Sequence, residues 1–199
     1  LIVLADADMD IAVQCALNGA YFSTGQRCTA SSRLIVESAV HDEFVARLQQ
    51  KLAALKVGPA IAQDTDIGPV VSQQQLDQDL SYIQIGKDEG ATLLWGGERL
   101  EPGPRGYYLQ PALLAAEPGH RVSTEEIFGP VACVMPADSY DHALALANAT
   151  EFGLCAGICT TSLKHATHFK RHAQVGMAMV NLPTAGVDPH VAFGGSKGS

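Results

Sequence analysis

The chain has 199 residues, of which 47% are hydrophobic and 17% charged, with a formal net charge of −8. That is enough apolar material for one substantial core, and the acidic balance leaves no electrostatic footprint for nucleic acid or an anionic membrane. No apolar run approaches the roughly 18 residues that a bilayer-spanning helix needs.

Residues 1–5 are apolar and read as a buried strand; with no basic segment before them they do not read as a signal peptide. Met9, Val13, Ala16, Leu17 and Ala20 recur at helical spacing over residues 9–22. "SRLIVES" (32–38) reads as a strand, and Val40, Phe44, Leu48, Leu52 and Leu55 mark one face of a long helix. "VGPAIAQDTDIGPV" (57–70) is a loop with Gly-Pro at both ends, and a more polar helix covers 72–88. "ATLLW" (91–95) is a short strand and residues 96–106 a turn-rich excursion. "YLQPALLA" (108–115) and "VACVMP" (131–136) read as strands. Helix 139–149, strand 156–162, helix 163–174 and strand 176–181 complete the chain. The second half thus alternates strand and helix with short connections, which predicts an α/β fold: a mostly parallel twisted sheet flanked by helices. The sequence starts as if within a strand and stops in a glycine-rich loop, so the expectation is a piece of a longer protein.

Cys15, Cys28, Cys133, Cys155 and Cys159 are odd in number and irregularly spaced. Four of them lie among apolar neighbours, where a thiol acts as a small hydrophobe, and Cys155 and Cys159 read as buried strand residues. The pattern suits a reducing, cytoplasmic setting without disulfides. Cys28 differs: it stands in "STGQRCTASS" (23–32), on a loop between a helix and a strand. A nucleophilic thiol needs access and a stabilised thiolate. Gly25 permits a close approach, Arg27 brings a positive charge, and serine and threonine hydroxyls offer donors. A surface cysteine beside a salt-bridging arginine fits the same residues.

"TEEIFGPV" (124–131) sets two carboxylates before an aromatic and a Gly-Pro turn. Glu125 or Glu126 could grip sugar hydroxyls there; equally, the segment is a solvated acidic turn with Phe128 in the core. "FGGSKGS" (193–199) matches G-x-S-x-G formally, but no acid and histidine follow Ser196, and Lys197 precedes glycine rather than the hydroxyl residue of a P-loop. His165, His168 and His172 share a helical face. Lys164, Lys170 and Arg171 crowd that helix and disfavour a divalent metal, so the row reads as a solvent-facing edge and no metal site is expected. No G-x-G-x-x-G follows a strand, so the sequence carries no complete dinucleotide fingerprint.

"GQRCTASSRLIV", "EEIFGPV" and "FGGSKGS", in this order and spacing, resemble the aldehyde dehydrogenase superfamily, as does "LIVLADADMDIAV" at the start. Residues 156–199 resemble its α-ketoglutarate semialdehyde (2,5-dioxovalerate) dehydrogenases. The resemblance implies an aldehyde dehydrogenase catalytic-domain fold and a single catalytic domain over 1–199. It puts the cofactor-binding domain upstream and the C-terminal tail beyond Ser199, with a homo-oligomer for the full-length protein. Cys28 matches the nucleophile, which forms a thiohemiacetal and then a thioester; its backbone N–H helps to hold the oxyanion. Glu126 matches the residue that holds the nicotinamide ribose hydroxyls, and Phe128 the aromatic at the nicotinamide end. The loop 182–193 matches the aldehyde entrance, where Thr184 and His190 would suit an acidic substrate. NAD or NADP would bind mainly outside this chain, and the general-base glutamate is expected upstream of Leu1, so the isolated chain is expected to be largely inactive. The alternatives are a dehydrogenase for another aldehyde and a catalytically silent binding or assembly module of the same fold.

Overall fold

The computed structural model describes residues 1–103, 106–186 and 188–199. Of the excursion 96–106, Pro104 and Arg105 lie outside the described residues; so does Val187 of the loop 182–193.

Strand β1 (Ile2–Val3) leads into helix α1 (Met9–Tyr21), whose amino end is capped by the Asp8 carboxylate accepting from the Ile11 amide at 3.1 Å. A single 3₁₀ turn (Phe22–Gly25) separates α1 from β2 (Arg33–Glu37). Helices α2 (His41–Ala54) and α3 (Gln73–Asp88) follow, the latter capped by Ser72. Then come β3 (Thr92–Trp95), β4 (Arg99–Leu100), β5 (Tyr108–Leu109) and β6 (Ala112–Ala115). The short helix α4 (Arg121–Thr124) precedes β7 (Val131–Ala137). Helix α5 (Tyr140–Asn148), β8 (Cys155–Cys159), α6 (Leu163–His172) and β9 (Met177–Val180) end the chain, with serine caps at Ser139 and Ser162. Each such cap contributes about 1 kcal/mol by occupying an amide that would otherwise lack a partner.

The strands form a seven-stranded sheet in the order β3-β6-β7-β2-β1-β8-β9. All pairings are parallel except β3 with β6. The α/β architecture expected from the sequence is therefore present. One expected strand divides: within "YLQPALLA", Tyr108–Leu109 pairs with β4 in a separate ribbon, and Ala112–Ala115 enters the main sheet. Pro111 between them has no N–H for a continuous ladder.

Period-two alternation sorts the side chains onto two faces. Leu34 and Val36 of β2, with Ala132 and Val134 of β7, meet Val13, Ala16, Phe44 and Leu48 from α1 and α2. Ile35, Cys133 and Met135 meet Leu76, Ile83, Ala143 and Phe169 from α3, α5 and α6 on the other side. Both faces are covered, which is why the strands read as near-continuous apolar runs. Among the described residues, no helix is long and apolar enough to cross a membrane.

Of the histidine row on α6, His172 is exposed as expected of a solvent-facing edge, whereas His165 and His168 are half-buried. His165 stacks on Tyr140 of α5 with ring centroids 4.4 Å apart, and His168 stacks on His172 at 3.8 Å. The Tyr140 hydroxyl also meets His168 Nδ1 at 2.7 Å.

Candidate functional site

Cys28 is exposed, on a turn that leaves the carboxyl end of α1 and enters the amino end of β2. Ser23, Thr24 and Gly25 take three consecutive left-handed conformations, with φ of 56°, 56° and 63°. For Ser and Thr this costs of order 1–2 kcal/mol each, so the surroundings must enforce it. They do. Gln26 donates to the Thr24 hydroxyl, and its side-chain carbonyl accepts from the Val71 amide at 3.0 Å. The Arg27 guanidinium donates to the carbonyls of Phe22, Ala185 and Asn18 at 3.2, 3.4 and 3.5 Å. Arg27 thus braces three backbone carbonyls instead of acting as a free charge beside the thiol.

Behind Cys28 stands a buried hydroxyl pair. Thr184 Oγ1 donates to the Thr29 carbonyl at 2.7 Å and meets Ser31 Oγ at 2.6 Å. The same Thr29 carbonyl accepts from Cys155 Sγ at 3.5 Å. Thr184 is only 1% exposed, so its hydroxyl supports the Cys28 turn and is not available to a substrate. The expectation that Thr184 reads an acidic substrate gives way to that role. His190 is exposed and paired with Asp188 at 3.0 Å, and it is not part of the cleft described below.

The segment before β7 supplies the facing wall. Phe128 is 39% exposed and left-handed at φ 61°, so it is not the core residue of a solvated acidic turn. Ile127 is buried, and its carbonyl accepts from Gln75 Nε2 at 3.0 Å and Gln78 Nε2 at 2.9 Å, both from α3. Gly129 lies against Gly25, where a Cβ would run into the Gly129 carbonyl. This contact locks the Cys28 turn to the Glu126–Phe128 segment, and it is the close approach expected of Gly25.

The two adjacent glutamates differ. Glu125 is held by Arg121 at 2.8 Å and by the Tyr82 hydroxyl at 2.6 Å. These hydrogen bonds bring its carboxyl down to about 2. Glu126 is exposed and makes no side-chain hydrogen bond or ion pair among the described residues.

Cys28, Glu126, Phe128, Thr184 and Cys155 line one cleft of about 470 Å³, to which Phe152 and Phe193 add two more exposed aromatic rings. It opens where the loops enter the amino ends of β2, β7 and β8. Cys155, read from the sequence as a buried strand residue, is only half-buried here, and burial raises its thiol above the usual range. The signal missed was its place at the first position of β8, next to a loop. "FGGSKGS" serves as a clasp: Ser196 Oγ donates to the Gln174 carbonyl at 2.8 Å and Lys197 Nζ to the Asn148 carbonyl at 2.6 Å. Among the described residues, no three His, Cys, Asp or Glu side chains converge on a metal position.

The profile of the aldehyde dehydrogenase family matches residues 1–199. The chain belongs to the aldehyde dehydrogenase family. It is 42% identical over 202 residues to the alpha-ketoglutaric semialdehyde dehydrogenase of Bacillus subtilis, covering 100% of this chain and 41% of that protein. It is 40% identical over 200 residues to the 2,5-dioxopentanoate dehydrogenase of Saccharolobus solfataricus, again covering 100% of this chain and 41% of that protein. In structure it resembles the 1-pyrroline-5-carboxylate dehydrogenase from Thermus with bound NAD, with a TM-score of 0.94 and 38% identity, over 98% of this chain and 38% of that one. This aldehyde dehydrogenase chain therefore spans about two fifths of the length of the relatives it matches.

The family implies a nicotinamide cofactor, and the described residues fit part of one. An unpaired carboxylate at Glu126 suits sugar hydroxyls, and the exposed Phe128 ring suits a flat aromatic amide. No glycine-rich phosphate cradle adjoins them among the described residues.

Proposed function

We propose that residues 1–199 are the nucleophile-bearing catalytic domain of a cytoplasmic, homo-oligomeric enzyme. It oxidises a semialdehyde, α-ketoglutarate semialdehyde, to the carboxylate with NAD or NADP. One juxtaposition carries the reading: the exposed Cys28 thiol shares a cleft with the unpaired Glu126 carboxylate and the Phe128 ring. Two relatives at 42% and 40% identity named for that semialdehyde, or for its synonym 2,5-dioxopentanoate, support the substrate.

The Cys28 thiolate adds to the aldehyde carbon; a C–S bond forms and the carbonyl pair moves to oxygen. The Cys28 amide N–H donates to no acceptor among the described residues, which leaves it able to meet that oxyanion. Re-forming the carbonyl expels the aldehyde hydrogen as hydride and leaves a thioester on Cys28. The nicotinamide, when bound, supplies the acceptor for that hydride. Glu126 would accept from the ribose hydroxyls and Phe128 would pack at the nicotinamide end, and together they would orient the ring. Water attacks the thioester, the Cys28 sulfur leaves, and the carboxylate is released.

The base that takes the water's proton belongs, in this reading, to the part of the enzyme preceding Leu1. Glu125 is a poor candidate, because a carboxyl held near 2 binds protons weakly. In the full-length enzyme, C28S is expected to keep cofactor binding and lose turnover by about 10³-fold or more. Near-normal turnover would remove Cys28 from the mechanism.

A further inference from the structure

Asp79 of α3 is wholly buried, and its Oδ2 has no hydrogen-bond partner among the described residues. Its Oδ1 accepts from Gln75 Nε2 at 2.8 Å, and that same amide donates to the Ile127 carbonyl at 3.0 Å. The carboxyl group rests on Gly129, filling the space where a Cβ would stand. Gly129 in turn lies on Gly25. A stack therefore runs from Asp79 through Gly129 to the turn that carries Cys28.

We infer that Asp79 is a positioning residue. As a neutral carboxylic acid it wedges the 126–129 segment against the Cys28 turn and so sets where Glu126 and Phe128 stand relative to the sulfur. The inference rests on the functional reading above.

The neutral form follows from the surroundings. A buried anion with one open oxygen and, among the described residues, no cation beside it is far costlier than a buried hydroxyl lacking an acceptor. The ionisable groups nearby do not change this. Arg121 of α4 is paired with Glu125, which also accepts from the Tyr82 hydroxyl, Glu126 is exposed, Asp77 of α3 accepts from Gln73, and β3 and β6 carry no ionisable side chain. Burial accordingly pushes the Asp79 carboxyl up to about 7, against the pull of Gln75. Once ionised, the group must seek water, and the wedge is lost. The sequence hid this residue, since in "QQQLDQDLSYI" it is one polar side chain among many on a polar helix.

The test is nicotinamide dinucleotide binding by the full-length protein between pH 6 and 8.5. It is followed by calorimetry with NAD and, in parallel, NADP, in a C28S background that removes the reactive thiol. If only the neutral wedge is competent, affinity should fall by up to roughly 30-fold across that range, following the protonated fraction. D79N, neutral at every pH and able to accept from Gln75, should bind as the parent does at pH 6 and lose the pH dependence. D79A should bind weakly at both ends of the range, and thermal unfolding would confirm that it is folded. Parallel pH curves for D79N and its parent, or unchanged binding in folded D79A, would overturn the inference. No binding by the parent with either dinucleotide at any pH would overturn the functional reading beneath it, and the inference with it.

Discussion

Replacing Thr184 with valine removes the hydroxyl that joins the loop 182–193 to the Cys28 turn while keeping the side chain's shape. Two buried hydrogen bonds go: the one to the Thr29 carbonyl at 2.7 Å and the one with Ser31 Oγ at 2.6 Å. Ser31 is left without that partner, and Thr29 keeps only the weak thiol donor of Cys155. At about 1 kcal/mol per bond plus part of the cost of a stranded partner, the loss is about 2–3 kcal/mol. For a cooperative unit of this size that lowers the unfolding midpoint by about 4–12 °C. The assay is thermal unfolding of full-length T184V and T184S, with kcat/KM for one acidic and one neutral aldehyde. A brace for the turn makes both aldehydes suffer by the same factor, and T184S restores both stability and rate. A midpoint within about 1 °C of wild type, or a loss confined to the acidic aldehyde, would refute the argument.

G25A forces a left-handed alanine, and its Cβ onto the backbone carbonyls of Gly129 and Ala20. It should cost about 2–5 kcal/mol and change the iodoacetamide labelling rate of Cys28, readable by unfolding and mass spectrometry. For Asp79, the carboxyl ordinarily ionises near 3.8 and here near 7, so the folded state binds this proton more tightly. The resulting stability is fully present below pH 3.8 and is lost as pH rises through about 7, by about 4 kcal/mol in all. D79N should therefore gain on wild type from pH 4 to pH 8, and a gap in unfolding midpoint that stays constant over that range would show that Asp79 does not titrate as argued.

Much of the scaffold was legible because its cause is local. The spacing of Phe44, Leu48 and Leu52 predicts α2, and the strand-helix alternation of the second half predicts a parallel sheet. Cys28 stood out because its neighbours fit neither a strand nor an amphipathic helix. What escaped was set by contacts distant in sequence. Thr184 lies 153 residues from Ser31, and nothing near it signals a buried hydroxyl pair. Cys155 reads as core until the loop before β8 is seen to open onto the cleft. The left-handed Ser23 and Thr24 go against their own conformational preference, which only the bracing by Gln26, Arg27 and Val71 explains.

The placement of the cleft has an electrostatic corollary. The loops carrying Cys28, the Glu126–Phe128 segment and Phe152 each follow the last turn of a helix, α1, α4 and α5. Among the described residues, no helix presents its first turn there. The carbonyl ends of α1 and α5 there are already met by cations, Arg27 donating to the Asn18 and Phe22 carbonyls and Lys197 to the Asn148 carbonyl. With those carbonyls answered and no helix amino end at hand, a thiolate or an oxyanion here would draw its stabilisation from individual amide hydrogens.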